Sequence, residues 1–508
     1  RCRAPGAAGR PVRMAPAASA SAAVAESEEP VAAAPAQPRG VNLTSAAVAV
    51  GVGLLVQFVI PVPAGVTPQA WQLLAIFLTT VVGLILEPLP VPAWAFCGLT
   101  AAVMTKTLSW DMAFQAFTSE VIWLITVSFF FARGIVQSGL GARIAQIFVA
   151  AFGKSTLGLS YGLAAAETVL ALGMPSGTAR AGGVLQPVID SISKDVGSTP
   201  KENPRRMGAF LTMSQAHGAA AHTSNLFLTA SAQNLLVIKL AEEAGVVFAN
   251  AWMEWLTAAL VPVLACMVIS PYAAYLLCPP EIKDTPEAPA SARAKLKEMG
   301  SLSRDEWVMM VALAAAVVIW VVGFGLPGAV GAMLGLCILL NTGVLSWSDC
   351  LKEGAGWSTL TWFSVLVGFS GALNQMGLID WVASNVSTGV TNLGLGSGAT
   401  IAVLLTAYTL IHYVFASQTA HVASLFPAFL QVIMLAGGAG LPVALAMGYI
   451  TNLFGGITHF ASGQSVVFYN AGYVSLAEFW TLGLKMFLIN SVVFAATAIP
   501  YWSFLGLM

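Results

Sequence analysis

The 508-residue sequence predicts an all-α polytopic membrane protein made of two related halves, and three observations carry that prediction. The first is composition: 57% of the residues are hydrophobic, 9% are charged, and the mean hydropathy is +0.80. Soluble domains carry about 25% charge. The second is segregation. Eight of the 45 charged residues fall in the first 41 positions, seven in 190–206 and eleven in 281–306, which leaves 19 for all the rest. The third is the recurrence of short motifs at nearly one spacing. A net charge of −1 sets aside nucleic-acid binding as the main task, since that needs a basic surface. The six cysteines show no paired spacing, so a disulfide scaffold is set aside as well.

Residues 1–41 stand apart. Arg1, Arg3, Arg10 and Arg13 precede the first acid, Glu26, in a stretch rich in Ala, Ser and Pro. This predicts a disordered remnant of an organelle transit peptide, of mitochondrion or plastid. Apolar runs near the 20 residues that a bilayer requires follow at 43–60, 69–86, 91–105, 120–138, 208–236, 254–278, 306–324, 327–345, 357–374, 441–470 and 479–505. They predict about 11 transmembrane helices. Two more runs are interrupted: 156–190 by Gly173-Met174-Pro175-Ser176-Gly177, and 399–437 by Ala416-Ser417-Gln418-Thr419. Each is long enough for two half-length helices, which predicts two re-entrant hairpins. The charged stretch 281–306 predicts a solvated linker between halves at 42–280 and 307–508. Arg133 and Arg143, near the end of the fourth span, are expected to snorkel to an interface.

The halves echo each other. Leu108-Ser109-Trp110 recurs as Leu345-Ser346-Trp347 at an offset of 237, and Gly139-Leu140 as Gly377-Leu378 at 238. Ser176-Gly177-Thr178-Ala179-Arg180 is echoed by Ser417-Gln418-Thr419-Ala420-His421 at 241, and Ala230-Ser231-Ala232-Gln233 by Ala461-Ser462-Gly463-Gln464 at 231. About five crossings separate Trp110 from Trp347, and an odd number inverts the second copy. Inverted repeats with paired polar breaks mark secondary transporters, whose substrate sits where the repeats meet. A channel or a scaffold has less use for them.

The candidate site follows from those breaks. Ser176, Gly177 and Thr178 at one tip face Ser417, Gln418 and Thr419 at the other. Helix N-termini there present free N–H groups and partial positive charge. Arg180 cannot face lipid and stays charged. It pairs with Glu167, pairs with another acid, or binds an anion bidentately. The repeat sets it against His421, which favours a ligand carrying a carboxylate at each end. Ser231 and Gln233, with Ser462 and its Ser-x-Gln partner Gln464, add neutral donors and acceptors. Thr458 and His459 join them from the Gly-rich break after Gly455, whereas His217 and His412 read as structural. A fixed charge at Arg180 that a dianion neutralises would slow the empty carrier, which predicts obligatory exchange. The sequence has no HExxH, GxxxxGK[ST] or GxSxG motif, so neither enzyme chemistry nor a metal or cofactor is expected.

At these residues the sequence resembles the divalent anion/sodium symporter family, and within it the plastid branch. The family's paired Ser-Asn-Thr tips appear as Ser176-Gly177-Thr178 and Ser417-Gln418-Thr419. Met174 to Gly183, His412 to Thr419, Thr451-Asn452-Leu453-Phe454-Gly455-Gly456, Glu120 to Ile125 and Lys283 to Pro289 resemble the plastid members closely. The likeness covers 43–508. It implies a homodimer with an elevator mechanism and exchange of 2-oxoglutarate for malate across the plastid inner envelope. A glutamate/malate exchanger and a sodium-coupled dicarboxylate symporter are the alternatives. Gly177 and Gln418 replace both asparagines of the sodium-type tips, and Arg180 and His421 could supply the missing positive charge, which implies antiport without sodium.

Overall fold

Hydroxyl side chains at N-cap positions start many of the helices, and the same caps recur in both halves. A computed structural model describes residues 40–391, 396–415 and 417–508. The leader expected over 1–41 lies outside the described residues except for its last two positions, and Ala416 of the second interruption lies outside them too. Residues Asn42–Met508 form one compact unit.

After α1 (Leu43–Leu54), the first half runs through α2 (Pro68–Leu86), α3 (Val91–Met104), α4 (Trp110–Phe114), α5 (Glu120–Gln137), α6 (Leu140–Phe152) and α7 (Thr156–Ala171). It continues as α8 (Gly177–Arg180), α9 (Gln186–Asp195), α10 (Gly208–Ser214), α11 (Ala220–Leu226), α12 (Ala232–Glu243) and α13 (Ala251–Leu277). The charged stretch contributes α14 (Ala288–Met299). The chain then runs through α15 (Arg304–Val322), α16 (Gly328–Thr342), α17 (Trp347–Lys352), α18 (Gly354–Gln375) and α19 (Leu378–Thr391). It ends with α20 (Ser397–Ile411), α21 (Gln418–Leu435), α22 (Gly440–Phe454), α23 (Gly463–Asn470) and α24 (Leu476–Phe504). Ser109 caps α4 as Ser346 caps α17, and Ser176 caps α8 as Ser417 caps α21, each accepting from the N–H three residues on. No β-strand occurs among the described residues.

Seven of the described helices are long and apolar enough to cross a bilayer, and five segments of 10–17 residues are apolar but shorter. Both interrupted runs fold as two helical limbs, α7 with α8–α9 and α20 with α21. The runs 208–236 and 441–470, expected as unbroken spans, are each divided. The α-helix stops at Leu226 and restarts at Ala232 after a 3₁₀ turn at Leu228–Ala230, and it stops at Phe454 and restarts at Gly463. The last helices of the halves, α13 and α24, pack along each other. Pro262 inside α13 has no N–H for the carbonyl of Ala258, and Trp502 of α24 donates its indole N–H there at 2.9 Å. A strain point in one half is thus relieved by the other.

Two expectations about charge change. The stretch 281–306 is more than a solvated run. Thr156 donates its hydroxyl to Ile282 O and its N–H to Lys283 O, while Thr285 donates to Lys154 O and Gly153 O. α14 packs on α6, burying Pro289 and Ala292. Arg143 does not snorkel. It is 7% exposed, its Nε lies 2.5 Å from Glu306 Oε1, and its other nitrogens donate to Met299 O, Gly300 O and Ser301 O. Glu306 also closes a capping box with Ser303. Four carbonyl and carboxylate acceptors hold this guanidinium better than water at an interface would. Arg133, partly exposed, meets Asp349 at 3.9 Å and Glu353 at 3.6 Å.

Candidate binding site between the hairpin tips

Both tips rest on the second helix break. A β-carbon built on Gly177 would lie 3.0 Å from Gln464 Oε1, and one on Gly463 would lie 2.1 Å from Thr178 Oγ1. At the other end of the same break, a β-carbon on Gly455 would lie 2.2 Å from Gln418 Nε2. Thr178 and Gly463 are exposed, and Ser176, Ser417 and Thr419 are half-buried, so none of these hydroxyls is sealed inside the protein. Ser176 and Ser417 each accept from their own helix, which leaves their O–H groups to donate outward.

The first break touches both hairpins as well. Arg180 donates to Ala230 O at 2.7 Å, and Gln233 Nε2 lies 3.3 Å from Gln418 Oε1. Thr229 Oγ1 donates to Leu172 O at 3.3 Å. Each break therefore serves both tips.

Behind the tips lies a buried amide network. Asn452 Nδ2 donates to Asn225 Oδ1 at 2.7 Å and to Asn234 Oδ1 at 2.8 Å, and its Oδ1 accepts from Gln233 at 2.8 Å. Asn225 donates to Tyr449 O, Asn234 to Ser224 O and Phe227 O, and Gln418 to Thr451 O at 2.6 Å. Asn225, Asn234 and Asn452 were not singled out as site residues in the sequence. The signal was present: Asn225-Leu226-Phe227 recurs as Asn452-Leu453-Phe454 at an offset of 227. Each asparagine ends the helix ahead of its break, where a side-chain amide can replace lost backbone partners.

The remaining expected residues fall elsewhere. Arg180 is fully buried: Nε lies 3.3 Å from Glu167 Oε1, Nη1 donates to Met174 O and Ala230 O, and Nη2 donates to Ser224 Oγ. It stitches the first tip to the first break and faces no opening. Glu167 neutralises it from α7, so a bare charge on the empty carrier no longer supports obligatory exchange. His421 is fully buried among the rings of Tyr408, His412, Phe415 and Phe454, with centroids 4.4–5.4 Å away, and neither ring nitrogen has a partner among the described residues. His459 accepts from Trp480 Nε1 at 3.1 Å beside Phe460 and Tyr469. Thr458 is buried with no partner for its hydroxyl. Ser462 is turned into the break, donating to Gly455 O, whereas Ser231 is buried next to Ala230. His217 and His412 hold carbonyls of the second break, Gly456 O at 2.6 Å and Ala461 O at 2.8 Å.

The contact between Thr178 and Gly463 yields a direct test. Thr178 is β-branched and stiff about χ1, so Gly463→Ala has to push the tip away from the break. Exchange is expected to fall by at least about tenfold with little change in melting temperature, since one 1.4 kcal/mol misfit at the tip suffices. Gly182→Ala, where the nearest atom is Val467 Cγ1 at 3.7 Å, should behave as wild type in the same transport assay.

Comparison with known proteins agrees with this architecture. Residues 41–508 match the sodium:sulfate symporter transmembrane region. Dicarboxylate transporter 2 of spinach chloroplasts is 51% identical over 90% of this chain and 81% of its own. Chloroplast dicarboxylate transporter 1 of Arabidopsis thaliana is 42% identical over 90% and 82%. The citrate/succinate antiporter of Escherichia coli K12 is 32% identical over 84% and 91%. Among solved structures, the fold is similar to Neisseria gonorrhoeae MtrF (TM-score 0.54, 13% identity, 88% of this chain and 96% of that one). It is also similar to the Alcanivorax borkumensis YdaH transporter (TM-score 0.52, 16% identity, 81% and 89%). With two hairpins, two broken helices and a family match that spans the whole membrane unit, the chain belongs to the sodium:sulfate symporter transmembrane family, on the branch that holds the chloroplast dicarboxylate transporters.

Proposed function

We propose that the chain is a sodium-independent dicarboxylate exchanger of the plastid inner envelope, trading malate for 2-oxoglutarate, and not an enzyme. The observation that carries this reading is the convergence of both hairpin tips on the 455–464 break, with Thr178 exposed and Ser176, Ser417 and Thr419 half-buried at the tips. Two sets of hydroxyl and N–H donors suit two carboxylates. The names of the relatives supply the substrate class, and the antiporter among them supports exchange. The halves at 42–280 and 307–508 act as inverted repeats, and a homodimer works by an elevator motion of the hairpins.

Sodium independence has its own support. Unwound carbonyls coordinate cations in many transporters, and here protein donors already occupy several of them. Arg180 takes Met174 O and Ala230 O, Ser462 and Ser465 take Gly455 O, His217 takes Gly456 O, and His412 takes Ala461 O.

Uptake of labelled malate into proteoliposomes tests the reading. Vesicles preloaded with 2-oxoglutarate in choline buffer are expected to take up malate at least about tenfold faster than empty ones, with no gain from sodium. Equal uptake by empty vesicles, or dependence on sodium, returns the assignment to a symporter. Preloading with glutamate decides between the counter-substrates. No unpaired carboxylate stands among the tip residues to receive an ammonium group, which favours 2-oxoglutarate.

A further inference from the structure

We infer that Gln464 is a specificity-determining residue that reads the substituent on the second carbon of the transported dicarboxylate. The inference rests on the function proposed above. Gln464 and Gln233 are repeat mates, each two residues after a capping-position serine at a helix break. Their surroundings differ. Gln233 is committed to Asn452 at 2.8 Å and to Gln418 at 3.3 Å. Gln464 is 7% exposed, yet its amide makes no hydrogen bond to any described residue.

The amide is not sealed from solvent, and an amide with solvent access and no protein partner is free to bind a ligand. Its position says what could satisfy it. The amide lies over the first tip, with Oε1 3.0 Å and Nε2 3.6 Å from where a β-carbon of residue 177 would stand. Its neighbour Gly463 is exposed and faces the exposed Thr178. The glycine at 177 leaves the space over the tip to this amide. A ligand seated beside Thr178, at the exposed edge of its contact with Gly463, would meet the Gln464 amide.

An amide is suited to that place because it carries a donor and an acceptor on one planar group. Nε2 can donate to a 2-oxo oxygen, and Oε1 can accept from a 2-hydroxyl. One residue then accommodates both partners of an exchange between a 2-oxo acid and a 2-hydroxy acid. A dicarboxylate with an unsubstituted second carbon leaves the amide unmatched and is disfavoured.

The test uses full-length protein in proteoliposomes, with labelled succinate as reference substrate and malate or 2-oxoglutarate as competitors. In wild type the two substituted acids are expected to compete about tenfold better than succinate, the worth of one matched hydrogen bond. In Gln464→Leu that advantage should drop below about twofold, with succinate half-saturation within about threefold of wild type. Gln464→Met, closer in shape, replaces it if the leucine variant melts several degrees lower in detergent. A variant that keeps the advantage overturns the inference, as does a wild type without one. So does a folded variant that loses all three acids together. A wild type that exchanges none of the three refutes the dicarboxylate reading itself, which is a separate result.

Discussion

Arg180→Ala is expected to abolish malate exchange and to lower the melting temperature of the detergent-solubilised protein by many degrees. Arg180 is fully buried, and its removal leaves Glu167 as an unpaired buried carboxylate and frees Met174 O and Ala230 O. Breaking such a pair from one side costs about 3–5 kcal/mol, and each orphaned acceptor adds on the order of 1 kcal/mol or more. Arg180→Lys keeps the charge but carries its donors on one atom, which cannot reach Glu167, two carbonyls and Ser224 together; it should be impaired nearly as much. Adding Glu167→Leu to Arg180→Leu should restore part of the lost stability, because the partners couple. Uptake and thermal unfolding distinguish the roles. An Arg180→Ala protein that melts normally and shows only a raised half-saturation for malate would make Arg180 a substrate ligand after all.

The second large effect is at Asn452. Its one side chain serves Asn225, Asn234 and Gln233, all buried, and so ties the second half to the first across both breaks. Asn452→Leu keeps the size but strands three polar partners, each worth about 1–3 kcal/mol when unsatisfied. A loss of at least about 3 kcal/mol is expected. Asn452→Asp keeps the outline and replaces a donor by an oxygen facing two other oxygens, so it should be no milder than leucine. Chemical denaturation in detergent reads both, and a change below about 1 kcal/mol in either variant would show that the network is not what holds the breaks together.

The hairpins were legible because Gly173-Met174-Pro175 and the Ser-x-Thr pairs interrupt apolar runs where no polar residue belongs without a reason. The break at 227–231 was not. Phe227-Leu228-Thr229-Ala230-Ser231 contains neither glycine nor proline; it tightens to a 3₁₀ turn at Leu228–Ala230, held by the distant Arg180 on Ala230 O and by Asn234 on Phe227 O. Arg180 itself was recognised as a charge in need of a partner, and Glu167 was on the page as one option. The choice between that carboxylate and a ligand depended on which way the first hairpin turns its second limb, and periodicity does not encode that. His421 was set at the site by its repeat position, but the second half surrounds that position with Tyr408, Phe415 and Phe454 where the first half has Met174 and Ser224 around Arg180. Similar sequence motifs need not keep similar side-chain surroundings.

The Arg180–Glu167 pair also fixes what an electrical field can act upon. With guanidinium and carboxylate cancelling inside the first hairpin, the pair adds no net charge to the cargo's own. Moving one elementary charge across 100 mV changes its free energy by about 2.3 kcal/mol, so a lone dianion feels about twice that. Two dianions passing in opposite directions feel none. In the one-for-one exchange proposed above, the cargo would then feel no net voltage, and the ratios of the two acids across the membrane would set the direction of flow.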